Sequence, residues 1–567
     1  MKKILLAASE AVPFIKTGGL ADVVGSLPKY FDKKEYDVRI ILPKYACMDE
    51  SLLKGFRRCA ESVVSLNWRE QYVGVLTGKY NGISCYLLDN EYYFSGPAPY
   101  DHIYLDAEKF AYFSKAVLTV LPLIKFQPDV IHCNDWQTGL LPVFLQTQFR
   151  EDPFYRYIKT VFTIHNMRYQ GRWYMDAYRD ITGLPDFCFT METLECYGQA
   201  NPLKGGLVYA DAITTVSESY ALEIQQQDGG EGLDGLLRAR SGQLFGILNG
   251  LDDTVYDPET DPLIVQNFSQ KDWQTKKKIN KLALQEQMGL TVSESAFLIG
   301  MVSRMTDQKG FDLVMQKIKD IMEDADIQLI LLGSGEERYE SALMDIAGSY
   351  PGRMAVSLCY SEKIAHRIYA SADAFLMPSM FEPCGLSQLM SLRYGTVPMV
   401  RETGGLKDTV EPYDPQRESG TGFTFASYDS DDMFAMIQRA HNVYKNEKVQ
   451  WAGIVNRGMK KDYSWKVSAH KYAELYTALY QIKSAQIRQD RAVHAAQKKR
   501  IKQQQEIEEN IVQRSIKKKV GVSTSEELLL DAGKTVSKKA EDNRMKTSKR
   551  DPKMEVSKKD RQLKKGK

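Results

Sequence analysis

Short apolar runs alternate along the chain with longer stretches whose apolar residues recur every three or four positions. KKILLAAS, DVRIILP, ISCYLLD, PDVIHCND, TVFTIHN, AITTVS and FGILNG each predict a strand that ends in polar or turn residues. A second series follows Asn249-Gly250: FLIGMVSR, IQLILLGSG, RMAVSLCY, AFLMPS, VPMVRE and TGFTF. LADVVGSLPKYF, DLVMQKIKDIMEDA and SEKIAHRIYASAD predict helices between them. Strands and helices alternating in this way predict α/β domains with parallel sheets, and two series predict two of them.

A chain of 567 residues is too long for one core, which agrees with that division. We place the domains at 1–248 and 249–460. A helix over 461–483 is expected to pack back on the first domain, followed by a tail over 484–567. Polar residues cluster at the carboxyl ends of the predicted strands, in CNDW, IHNMR, SRMTDQKG and SMFEPCG. Open α/β sheets bind ligands outside those ends, so two facing domains predict a deep interdomain cleft.

Composition changes the picture in three places. The opening MKKILLAASEA resembles a signal peptide, but Glu10 closes its apolar run early, so a buried first strand is expected. Eight scattered cysteines without a Cys-x-x-Cys pair argue for reduced thiols and a cytoplasmic location. Charge is divided unevenly. Residues 481–567 hold 25 basic and 12 acidic side chains, a net of +13, and the rest nets −11. The tail could form a charged helix over AAQKKRIKQQQEIEENIVQRSIKKK. Its isoleucines keep no steady heptad, and disorder is expected from Gly521 on.

Three motifs carry chemistry. Lys16-Thr17-Gly18-Gly19-Leu20 joins a strand to a helix. Its glycines allow a bound group to approach the backbone, and Lys16 offers a point charge to phosphate. The same turn recurs as Thr403-Gly404-Gly405-Leu406, 386 positions later, with Glu402 in place of the lysine. We expect an anion contact at the lysine copy and place the second copy near the cleft rim. In SRMTDQKGFD, Arg304 and Lys309 put two cations on one strand-to-helix loop, a pattern suited to a diphosphate. In PSMFEPCGLSQLMSLRYG, Glu382 can accept hydrogen bonds from sugar hydroxyls, while the N–H groups of Gly385, Leu386 and Ser387 can meet phosphate.

These motifs, with TIHNMRYQG, resemble in order and spacing the bacterial glycogen synthases and plant starch synthases over residues 1–480. The resemblance implies a GT-B fold of two Rossmann-like domains around the active site. It implies transfer of glucose from ADP-glucose to the non-reducing end of an α-1,4-glucan, with retention and without a cofactor. Lys16, Gly18 and Gly19 would contact the donor. Arg304 and Lys309 would neutralise the departing diphosphate, Glu382 would bind glucose hydroxyls, and Gly385, Leu386 and Ser387 would meet the phosphates. His165 would lie against the transferred glucose, Asp135 on the acceptor side, Asn249 at the hinge near the donor and Tyr360 near the adenine. The chain departs from many relatives at Gln137, often His there, and from the broader retaining pattern at Met390, a Glu in that pattern though not in the EPCGLSQL form expected of these synthases.

Other readings remain open at this level: a UDP-glucose-dependent transferase, a catalytically silent glucan-binding protein, or a phosphorylase dependent on pyridoxal phosphate. Gly333-x-Gly335 reads as a strand-end turn bordering the cleft, and Asp324-Ala-Asp326 as a solvated part of a helix. Trp136, Tyr169 and Trp173 read as core or cleft wall, and His102, His366 and His441 as structural. No metal cluster, membrane contact or nucleic-acid partner is expected. The tail's partner stays open.

Overall fold

The computed structural model describes residues 1–359 and 361–526. Tyr360, expected near an adenine, lies outside the described residues, as does the tail beyond 526. The chain divides into two compact units, Met1–Ile487 and a second beginning at Arg488.

The first unit holds two large sheets. One has nine strands in the order Leu244–Gly246, Ala212–Thr215, Lys159–Ile164, Val130–Asn134, Lys2–Ala7, Tyr36–Pro43, Ile83–Asp89, Arg69–Tyr80 and Arg57–Leu66. The first seven run parallel; Ile4, for example, faces Val38 on one side and Val130 on the other. Strands covered on both faces read as continuous apolar runs, which made the inner ones legible, while the edge strand Leu244–Gly246 is only partly buried. The last two form an antiparallel hairpin at the sheet edge. The apolar-run reading missed this hairpin because its partly exposed residues alternate instead.

The other sheet has six parallel strands in the order Met354–Ser357, Ile327–Leu332, Phe297–Val302, Ala374–Met377, Val397–Arg401 and Phe423–Phe425. One apolar core gathers residues between Ile4 and Ile247 with Cys384, and a second gathers residues between Leu251 and Met459. Trp465, Tyr472 and Tyr476, at the start of the long helix Trp465–Glu526, belong to the first core. The chain therefore crosses between the cores twice. The crossings touch: Leu251 donates its N–H to the Tyr463 carbonyl at 2.7 Å. A Cβ on Gly250 would stand 2.5 Å from the Trp465 backbone, so only glycine allows that approach.

Asp324 and Asp326 lie in the turn between the helix Phe311–Glu323 and the strand at Ile327, not inside a helix. The strand needs extended backbone from Ile327, and that ends the helix earlier than its charged pattern suggests. In the second unit, Ile501, Ile507, Ile511 and Ile516 are exposed on one continuous helix. That helix runs through Gly521 to Glu526, where composition predicted irregular chain.

Candidate active site

The first motif is built on a buried carboxylate. Glu10, three residues after the first strand and 3% exposed, accepts hydrogen bonds from Thr17 Oγ1 at 2.7 Å, from the Thr17 N–H and from the Tyr100 hydroxyl. This pins the loop that carries Lys16. Lys16 Nζ lies 2.8 Å from Asp22 Oδ1. Burial raises the Asp22 carboxyl above its ordinary range, and Lys16 opposes the rise. Nothing lies within 4 Å of where a Cβ on Gly18 would stand, so that backbone faces open space.

The strand Val130–Asn134 delivers Asp135 in a sparsely populated conformation, with φ 54° and ψ −177°. Its Oδ1 accepts the His165 N–H at 2.7 Å. Burial pushes the Asp135 carboxyl up to about 7, against the backbone N–H groups of His165 and Asn166, which hold it down. His165 Nε2 lies 2.9 Å from Asn134 Oδ1, and burial pushes its imidazole down to about 3, so the ring is neutral near pH 7.

On the other sheet, the strand Phe297–Val302 leads into the loop of Arg304 and Lys309. Arg304 is exposed and has no ion pair among the described residues. Lys309 Nζ lies 2.5 Å from Glu382 Oε2, which also accepts from Ser379 Oγ at 3.1 Å. Glu382 is 6% exposed. Gly385 adopts φ +70°, a turn that only glycine makes without strain. The N–H groups of Gly385, Leu386 and Ser387 donate to no backbone acceptor among the described residues, so the turn presents free donors.

One cavity of ≈ 1150 Å³ gathers these groups. Lys16, Gly18, Gly19, Asp135, His165 and Asn249 line it from one side. Arg304, Lys309, Glu382, Gly385, Leu386 and Ser387 line it from the other. Of the residues singled out in the sequence, only Tyr360 is not placed.

A model of the starch synthase catalytic domain matches residues 3–239, and one of group 1 glycosyl transferases matches 286–450. The glycogen synthase of Lachnospira eligens is 55% identical over 479 residues, 84% of this chain and 100% of its own length. That of Geobacillus stearothermophilus is 48% identical over 477 residues, 84% of this chain and 98% of its own length. The chain belongs to the bacterial glycogen synthase family. It is therefore a glycosyltransferase, and its fold is GT-B. Among solved structures, the catalytic domain of starch synthase IV from Arabidopsis thaliana, bound to ADP and acarbose, is similar with a TM-score of 0.79 and 32% identity. The match covers 85% of this chain and 99% of that one. Sucrose-phosphate synthase from Thermosynechococcus elongatus, at 15% identity and a TM-score of 0.53, shares the fold alone, over 85% of this chain and 100% of its own.

Gln137 and Met390, the two positions singled out as departures in the sequence, both line the cavity. The Gln137 Oε1 atom is buried without a hydrogen-bond partner among the described residues. Trp136, Tyr169 and Gly333 are cleft wall as expected. Sequence reasoning missed Glu10, Asp22, Arg168 and Arg172, which also line the cavity. Glu10 was detectable: a lone acid three residues past a buried strand needs a partner.

Two expectations are corrected. The second Thr-Gly-Gly-Leu turn is not among the cavity's lining residues. It stands behind the Glu382 loop, where Gly405 donates its N–H to the Glu382 carbonyl at 3.0 Å. A group able to hold a metal does exist: ligand atoms of Asp324, Asp326 and His441 come within 4.8 Å of one another. His441 is remote in sequence, which hid the cluster. Asp324 already lies 3.0 Å from His441 Nδ1, and Lys445 pairs with Asp326, so both carboxylates have partners. His366, also read as structural, is buried 2.7 Å from Asp261.

Among the described residues, no helix is long and apolar enough to cross a membrane.

Proposed function

We propose that the chain transfers glucose from ADP-glucose to the non-reducing end of an α-1,4-glucan, retaining the anomeric configuration. The observation that carries this reading is the composition of the cavity. Lys16, Arg304, Lys309 and the free N–H groups of Gly385 to Ser387 surround a space that also holds the buried Glu382. Cations and free donors suit a diphosphate, and a fixed carboxylate suits sugar hydroxyls. The ADP and acarbose in the related starch synthase support an adenine nucleotide donor and a glucan-like acceptor.

Breaking the glucosyl–phosphate bond leaves negative charge on the nucleotide. Lys309 and Arg304 act where that charge develops, and preorganised groups of this kind are the effective ones. The Lys309 ammonium also holds Glu382, so the group that receives the phosphate orients the group that reads the sugar. Neutral His165 accepts or donates hydrogen bonds without bringing a charge to the sugar. Asp135 lies on the acceptor side and Asn249 at the hinge beside the donor. We place the domains on either side of the crossing at 248–249, with no cofactor and a cytoplasmic location.

The test incubates purified full-length protein with glycogen and either ADP-glucose or UDP-glucose, following glucan growth and its digestion by an α-1,4-specific exo-enzyme. Faster growth with ADP-glucose and a digestible product are expected. Preference for UDP-glucose overturns the donor assignment, and a product that resists the enzyme overturns retention.

A further inference from the structure

Behind the Glu382 loop, one short helix of the first half of the chain, Glu218–Glu223, reaches the second half at three places. Ser217, its cap, donates its hydroxyl to the Pro383 carbonyl at 2.6 Å. Ser219 donates its N–H to Asp408 Oδ2 at 2.9 Å. Glu223 Oε1 accepts the Gly404 N–H at 2.8 Å, with Thr403 Oγ1 at 3.3 Å from Oε2. The next residue, Gly405, donates its N–H to the Glu382 carbonyl. A Cβ on Gly404 would stand 2.0 Å from the Glu382 carbonyl oxygen, and one on Gly405 2.0 Å from that of Cys384. The turn and the loop are thus in direct backbone contact, with no slack to absorb a shift of either.

We propose that Glu223 is a positioning residue for Glu382. Its carboxylate fixes the Thr403-Gly404-Gly405 turn, and through the Gly405 N–H it sets the depth at which Glu382 stands in the cavity that His165 and Asp135 also line. This rests on the reading of Glu382 as the group that binds the transferred sugar. The two glycine turns are then braced alike: a glutamate takes the threonine's N–H and hydroxyl in the first, and its hydroxyl and the following N–H in the second. Glu10 acts within its own half of the chain. Glu223 comes from the opposite half, so the second brace forms only when the halves are in register.

The effect belongs in turnover more than in donor binding, because the brace acts on Glu382, which reads the transferred sugar, and Lys16 and Arg304 lie outside it. A misplacement of about 1 Å at a reacting centre costs on the order of 10²-fold in rate. Glu223→Ala is expected to lower kcat by roughly tenfold or more with donor KM changed less than about threefold. Glu223→Gln keeps an oxygen that accepts the Gly404 N–H and is expected to recover most of the rate. Hydrogen exchange of the peptide spanning 380–406, measured on the full-length variants, is expected to rise in Glu223→Ala and not in Glu223→Gln. This readout needs no activity, so it separates failure of the brace from failure of the functional reading. A folded Glu223→Ala with wild-type kcat and unchanged exchange overturns the proposal. So does Glu223→Gln losing as much as Glu223→Ala, because charge rather than the hydrogen bond would then be responsible.

Discussion

Lys309 Nζ lies 2.5 Å from Glu382 Oε2, across 73 positions of sequence. Both side chains are largely buried, 18% and 8% exposed, so neither charge is left to water. Removing the lysine strands a buried carboxylate and also takes a cation from the cavity. Lys309→Ala is expected to lose about 10²–10³ in kcat and about 3 kcal/mol of stability. Steady-state kinetics and thermal unfolding check the two parts. A variant that loses rate but keeps its melting temperature would show that Glu382 does not depend on Lys309 for its placement.

The two glycine turns respond differently to an added methyl group. Gly405→Ala drives a Cβ into the Cys384 carbonyl and is expected to cost about 1–3 kcal/mol along with activity. Gly18→Ala meets nothing within 4 Å, so folding is expected to stay within about 0.5 kcal/mol of wild type. If the donor passes close to Gly18, its KM rises in that variant. Calorimetry and donor titration on both proteins read the contrast.

Asp135 gives a pH signature. Its carboxyl is raised to about 7 by burial, above its value in the unfolded chain. Its protonated form is favoured in the fold, so its contribution to stability is full below about pH 4 and is lost as pH rises through about 7. Asp135→Asn cannot ionise, yet its amide oxygen can still accept the His165 N–H. The variant is expected to match wild type near pH 4 and to exceed it at pH 8 by up to about 4 kcal/mol. Unfolding at both pH values checks this, and equal stability at pH 8 would contradict it.

Tyr476 ties the C-terminal helix to the first sheet. Its hydroxyl lies 2.6 Å from His132 Nδ1, and both residues are fully buried. Tyr476→Phe leaves that ring nitrogen unpaired and is expected to cost about 1–3 kcal/mol. Denaturant unfolding measures the loss, while kcat per folded molecule is expected to stay unchanged.

The parallel strands were legible because strands covered on both faces must be apolar throughout. The motif residues were legible because polar groups at strand ends interrupt those runs. The edge hairpin at Arg57–Leu66 was not, since its period-two alternation breaks no apolar run. Glu10 was overlooked as a mere end to an apolar run, although its burial is what anchors Thr17. The same four letters, Thr-Gly-Gly-Leu, gave no hint that one copy lines the cavity and the other braces a loop behind it.

By itself, then, the sequence determined the alternating architecture, the family and the residues that carry charge into the cleft. These rest on local pattern: periodicity, composition and the order of short motifs. Only the tertiary structure decided which of those residues act together. Lys309 meets Glu382 and Asp135 meets the His165 backbone because parallel strands far apart in sequence end side by side, and Glu223 meets Gly404 because a helix following one sheet reaches a turn following the other. Burial then adds what no local pattern carries. It raises the Asp135 carboxyl, silences the His165 imidazole and makes a single missing methyl group a condition for two loops to touch.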